Sequence, residues 1–206
     1  MSLKQFLSDD AKKKCTELIK EIEGQTSAEI VIAARASSSR YGEADWQIGI
    51  IFMLLVTAVL LAVPYVFNPF HIVLTCLVSC VAGKMLARLL TPLRRKMIPA
   101  QIQSDAVLLR AQSRFVELGV TRTSRRNGIL FFISLFERRV VVLPDIGVDE
   151  EFLGEPWRES KAELERAVAA LDFDAFSAAM KKFGPLLGAA MPRADDDVNE
   201  LPDEVQ

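Results

Sequence analysis

Two oily stretches separated by only Asn68 and Pro69 constrain this chain more than any other feature. Ile48–Phe67 reads IGIIFMLLVTAVLLAVPYVF and carries no charge. Phe70–Leu90 reads FHIVLTCLVSCVAGKMLARLL, and its only charges, Lys84 and Arg88, fall in the last two turns. Each is about 20 residues, the length a helix needs to cross a hydrocarbon core roughly 30 Å thick. A helix satisfies its own backbone in lipid, while Asn-Pro halts the first run and lets the chain reverse. The expectation is a transmembrane helical hairpin over residues 47–92, with the chain before and after it on one side. A buried hairpin in a soluble domain is the plainer alternative, and the length and lack of charge weigh against it. A signal peptide is not expected, since the apolar run starts after a charged amphipathic segment and no small-residue cleavage site follows it.

The charges predict which side. Arg35 and Arg40 precede the hairpin, Lys84, Arg88, Arg94, Arg95 and Lys96 end or follow it, and the tip has no Lys or Arg. The positive-inside bias then puts both termini and the rest of the chain in the cytoplasm of a bacterial inner-membrane-type bilayer. Trp46 and Tyr65 suit the two interfacial belts, and Lys84 and Arg88 can snorkel to headgroups.

The 206 residues are 50% hydrophobic with a formal net charge of −2. That balance argues against nucleic acid as a partner, which would call for a strong basic excess. Setting aside about 45 residues of hairpin leaves roughly 160, enough for one domain with its own core. The cysteines, Cys15, Cys76 and Cys80, are odd in number, and two lie in the second oily run. They make no disulfide framework and fit a reducing compartment.

Leu3, Phe6, Leu7, Ala11, Cys15, Leu18, Ile19 and Ile22 recur at three- and four-residue steps, the stripe of an amphipathic helix, with Ser8 as N-cap and Gly24 as stop. Ala28–Ala36 reads as a strand and Ser37–Trp46 as a polar loop. After the hairpin, Pro99 opens a helix with Ile102, Ala106, Leu109, Phe115 and Leu118 on one side, ended by Gly119. Gly128–Leu135 and Arg139–Leu143 read as an antiparallel strand pair. The first of them is apolar on both faces, as a central strand would be. An acidic loop, Asp145–Pro156, leads to helices near Trp157–Leu171 and Phe173–Leu187. The expected fold is α/β: a three-layer α/β/α sandwich with a small mixed sheet, interrupted by the two-helix transmembrane hairpin. Residues 1–46 and 97–192 would form one split domain, and residues 193–206 a flexible acidic tail.

Several segments resemble the TPM domain, named for a thylakoid lumen protein, a photosystem II repair protein and a nematode receptor modulator. Thr26-Ser27-Ala28-Glu29-Ile30-Val31-Ile32 looks like its first strand. Phe115–Val120, Asn127–Leu135, Glu137–Val140 and Asp145–Val148 look like the rest of its core. Val198-Asn199-Glu200-Leu201-Pro202-Asp203-Glu204-Val205 resembles a tail of some bacterial members. The resemblance implies the α/β/α sandwich. It also implies one of two activities: a calcium-binding phosphatase or an accessory subunit of a membrane complex. The chain departs from the common plan, in which a secretory signal precedes an extracytoplasmic domain.

A cysteine phosphatase loop needs Arg six positions after Cys, and the residues there are Glu21, Ala82 and Leu86. The sole histidine, His71, belongs to the hairpin tip, so histidine catalysis in the domain is excluded. Metal-assisted hydrolysis remains, with Asp145, Asp149 and Glu150 (beside Glu151) as oxygen ligands for Ca²⁺ or Mg²⁺, and Asp195–Asp197 as further candidates. The plainer reading is a solvated acidic loop before a helix N-terminus. Arg122, Arg125 and Arg126 are candidates for phosphate or lipid headgroups, joined by Arg138 and Arg139 at the strand turns and by Arg94, Arg95 and Lys96. Their plainer role is turn solubility. Thr75, Ser79, Gly83 and Ala87 form a small-residue stripe for membrane packing, with Ala58 and Ala62 as a facing strip. That stripe serves the hairpin itself, a second copy, or another membrane protein.

Two functions follow as expectations. The first is a membrane-anchored accessory or interaction module, partnered by the lipid bilayer and by another membrane protein or a second copy. The alternative is a calcium- or magnesium-dependent phosphatase-like hydrolase using the Asp145–Glu151 loop.

Overall fold

A computed structural model describes residues 8–193 and 199–201. Leu3, Phe6 and Leu7 of the expected first helix lie outside the described residues, as do Asp195–Asp197. The fold is mixed α/β and mostly helical, built on a small mixed sheet. It divides into two compact units, Met1–Ser38 with Ser104–Gln206, and Ser39–Gln103.

In the first unit, Ser8 caps α1 (Asp9–Glu23) by accepting from Ala11 N at 3.2 Å, and Asp9 and Asp10 sit in the first turn, where the helix dipole favours acids. Its buried stripe is Ala11, Cys15, Leu18, Ile19 and Ile22, and Gly24 closes it. Strand β1 (Glu29–Arg35) pairs in parallel with β2 (Gly128–Ser134), from Glu29 opposite Gly128 to Arg35 opposite Ser134. β2 pairs antiparallel with β3 (Arg139–Pro144), and the order is β1-β2-β3. The parallel neighbours are thus far apart in sequence, on either side of the second unit.

β2 is buried at every position. Alternate side chains of a strand point to opposite faces, so a strand apolar throughout needs cover on both. On one face Ile30, Ile32, Ile129, Phe131 and Ile133 pack with α1 and with the helices that follow β3. Those are α6 (Glu150–Ala170), α7 (Phe173–Lys181) and α8 (Phe183–Ala190). Phe183 meets Phe131 and Trp157 edge-on, with centroids 5.0 and 5.1 Å apart, an arrangement the ring quadrupoles favour. On the other face Val31, Ala33, Leu130 and Phe132 pack with Val107 and Ala111 of α5 (Ala100–Glu117) and with Val120.

In this unit one buried face and two boundaries differ from expectation. Along α5 the expected Phe115 and Leu118 do pack against the core, but earlier in the helix the buried apolar positions are Val107 and Ala111, whereas Ile102 and Leu109 are exposed. The acidic loop ends at Asp149, because that residue caps α6. The helix absorbs Gly154 (φ +61) and Pro156 as a kink. The last expected helix is split after Lys181, ahead of Gly184 and Pro185.

The second unit holds α2 (Gly42–Ala62), α3 (Pro69–Ala87), the short α4 (Thr91–Met97) and the start of α5. α2 begins within the expected polar loop and stops at Ala62, not at Asn68. Pro64 disfavours helical backbone at the residue before it, and Val63 is extended (ψ 130°). Asn68 instead starts α3: its Oδ1 accepts from Phe70 N at 2.9 Å, with Pro69 in the first turn. α2 and α3 are long and apolar enough to cross a membrane, with mean hydropathies of 2.0 and 1.8 over their most apolar windows.

Candidate functional site

The acidic loop is the first place to expect chemistry, and its three candidate ligands, Asp145, Asp149 and Glu150, each have partners within the protein. Asp145 follows β3 directly and its side chain is 3% exposed. Arg126, held at φ +55 in the turn before β2, grips it bidentately: Nε donates to Oδ2 at 2.6 Å and Nη2 to Oδ1 at 2.9 Å. Ile146 N adds a third donor at 2.8 Å. These bonds hold the Asp145 carboxyl below its ordinary range, Arg126 contributing most and burial opposing. The same pairing raises Arg126. Gly147 completes the junction by donating to Arg126 O at 2.8 Å. A Cβ there would come 2.6 Å from that oxygen, so only glycine fits without a shift.

Asp149 accepts from Glu151 N and Phe152 N, both at 3.0 Å, as the N-cap of α6. Glu150 accepts from Trp157 Nε1 at 2.6 Å and Lys161 Nζ at 2.7 Å. Burial pushes its carboxyl up, but those two bonds outweigh it and leave the group lowered. Among the described residues no group of three or more His, Cys, Asp or Glu side chains is placed to hold a metal ion. Asp145, Asp149 and Glu150 are therefore not brought together; each serves the loop, the helix cap or the helix flank.

Arg122, Arg125 and Arg126 are all exposed in the short connection over residues 120–127, which buries Val120, Thr123 and Asn127 beneath them. Arg138 and Arg139 sit at the other end of β2, about 20 Å away for seven residues at roughly 3.3 Å each, so the five do not form one cluster. Cys15 is buried, and burial pushes its thiol up to about 12, which removes it as a nucleophile at neutral pH.

The small-residue stripe is brought together as a helix contact. Ser79, Gly83 and Ala87 are buried on α3 and Thr75 is half-buried. The facing strip on α2 is not Ala58 and Ala62, which are exposed, but the line through Gly49, Phe52, Val56 and Thr57. Gly49 and Gly83 mark the closest approach: a Cβ on Gly83 would lie 2.6 Å from Phe52 Cβ, and one on Gly49 2.6 Å from Cys80 O. Thr57 Oγ1 and Cys76 Sγ are 3.2 Å apart along the same seam. Sequence reading missed Gly49, although a glycine inside an uncharged helix is itself a sign of close packing.

At the open end of this helix pair, Asp45 is buried and pairs with Arg94, Nε to Oδ1 at 2.5 Å. Arg94 Nη2 also donates to Arg40 O at 2.6 Å. Lys84 Nζ lies 3.7 Å from the centroid of the Trp46 ring, a cation–π contact. Spacing alone does not reveal these pairs, because they join different helices.

No family model matches the chain, and no curated protein matches it. Among solved structures it is similar to the NMR structure of the BA42 protein from the psychrophilic bacterium Bizionia argentinensis. The identity is 16%, the TM-score is 0.57, and the match covers 99% of this chain and 97% of that one. At that identity the likeness shows a shared fold.

Proposed function

We propose that this chain is a membrane-anchored interaction module. In this reading a TPM-like α/β/α sandwich is interrupted by a hairpin, α2 and α3, that crosses a bacterial-type inner membrane and holds the domain at the cytoplasmic face. The module would assist a membrane complex, with another membrane protein or a second copy as partner.

The observation that carries this is the exposure of the two helices. Only 22% and 17% of their most apolar windows are buried. A core helix of a soluble protein would be mostly covered. Here the seam through Gly49 and Gly83 is covered and the remaining circumference presents Leu54, Leu55, Val59, Phe70, Leu77 and Val78 outward. Apolar surface on that scale calls for lipid or a protein in lipid. The Asp45–Arg94 pair and the Lys84–Trp46 contact both fall at the end of the hairpin where the flanking basic residues concentrate. That is the chemistry of an inner headgroup layer.

The metal-dependent hydrolase draws nothing from the described residues, since its three carboxylates are taken up by Arg126, the α6 N-terminus, and Trp157 with Lys161. Cross-linking in intact cells followed by purification in mild detergent tests the module. Covalent recovery with an identified membrane protein or a second copy is expected. A lone monomer, uncross-linked across several linker lengths, contradicts the interaction role.

A further inference from the structure

The acidic tail was expected to be flexible, yet its described part, Asn199–Leu201, is seated on the first unit by contacts that read both backbone and side chains. Glu29, the buried first residue of β1, presents Oε2 to two consecutive amides, Glu200 N at 3.3 Å and Leu201 N at 3.2 Å. A carboxylate that accepts from successive peptide N–H groups recognises a main chain of one shape, whatever its sequence. Asn199 Oδ1 prepares that shape by accepting from Leu201 N at 3.1 Å.

The side chains are read separately. Ser124, in the turn before β2, donates to both oxygens of Glu200: its N–H at 2.8 Å and its Oγ at 2.6 Å. The Arg125 charge adds to the pull on this carboxylate. Charge-assisted bonds of this kind are the stronger class, and a fork on both oxygens selects a carboxylate over an amide or hydroxyl. Leu201 packs against the apolar cluster that contains Val31, Leu130 and Val120. Beside the seat lies a cleft of about 200 Å³ that shares Glu29 and Asn199 with it and is lined further by Lys20, Thr26 and Arg193.

We propose that the N-terminal ends of β1 and β2 form a peptide-binding site for a turn-shaped segment with an acidic residue followed by a large aliphatic one, occupied in cis by the chain's own Glu200–Leu201. The occupant is a short piece without regular secondary structure, joined to Glu29 across 171 residues of sequence. A tethered segment competes at high effective concentration, so an outside peptide gains access only when the tether is unseated.

The test uses the full-length protein in detergent and a fluorescent peptide with the sequence of residues 196–206, followed by anisotropy. A chain unseated by Glu200→Lys with Leu201→Asp should bind the peptide at least about tenfold more tightly than the unaltered chain. Adding Ser124→Ala, an exposed change that leaves the core intact, should weaken that binding, as should Glu29→Gln. A peptide carrying Glu200→Gln and Leu201→Ala should not bind the unseated chain. Equal binding by the unaltered and unseated chains, absence of binding by both, or indifference to Ser124→Ala would each overturn the site.

Discussion

The Asp145–Arg126 pair fastens the ends of β2 and β3, where the backbone bonds Asp145 N to Gly128 O and Gly147 N to Arg126 O, both 2.8 Å, continue beyond the paired strands. Asp145 is shielded while Arg126 is 44% exposed, so solvent screens the pair, and its worth is that of hydrogen bonds to a charged group discounted for exposure. Asp145→Ala is expected to lower stability by about 1–2 kcal/mol, measured by denaturant unfolding in detergent. The pH dependence follows from the direction of the shift. A carboxyl lowered in the folded state stabilises fully above its unfolded value near 3.8, and the gain is lost as pH falls through the lower folded value. Melting temperatures of the unaltered chain and Asp145→Asn should therefore begin to converge as pH falls below the unfolded value near 3.8, and meet only once the folded carboxyl, held lower by Arg126, is protonated as well. A difference in melting temperature that stayed constant as pH fell from neutrality until acid unfolding would show that the pair does not act this way. The same geometry predicts that millimolar calcium leaves the melting temperature unchanged, because a ligand of the folded state alone must raise it. A rise abolished by Asp145→Asn would restore the metal reading.

At the level of elements, the helix pair α2–α3 depends on two glycines. Gly83→Val places atoms where Phe52 Cβ already sits, and is expected to cost about 1–3 kcal/mol of hairpin stability. Ala58→Val, on the exposed side, should stay within roughly 0.5 kcal/mol. Thermal unfolding in detergent separates them. The seam also predicts a cross-link: Thr57→Cys should form a disulfide with Cys76 under mild oxidation, whereas Ala62→Cys should not. These elements show what the sequence disclosed. Period and length marked α1, the strands and the two oily helices, because each signal is local. The α3 stripe was legible for the same reason. Its partner strip was not: which face of α2 meets it is set by packing between the two helices, closest where Gly49 and Gly83 lack side chains. On the other face of the sheet, α5 misled because Ile102 and Leu109 are as apolar as Val107. The contacts of Asp145 and Glu200 were illegible, since each acid meets a partner set by tertiary structure, whereas Glu150 meets Trp157 and Lys161 of its own helix across the kink at Gly154.

For the whole molecule, the parallel pairing of β1 with β2 means that one domain closes across an insertion containing α2, α3 and α4. An insertion of that kind needs entry and exit on the same side, which a helical hairpin provides and a single crossing would not. The central claim is that this hairpin spans the membrane with the domain inside. Single-cysteine chains, with Cys15, Cys76 and Cys80 replaced, place a thiol at the tip by Val66→Cys, 94% exposed, or in the domain by Ser124→Cys. Labelling intact cells with a membrane-impermeant maleimide should modify the tip thiol directly and the domain thiol only after permeabilisation. A tip thiol that stays unlabelled until permeabilisation, on a protein that alkaline carbonate washes from the membrane, would contradict the account.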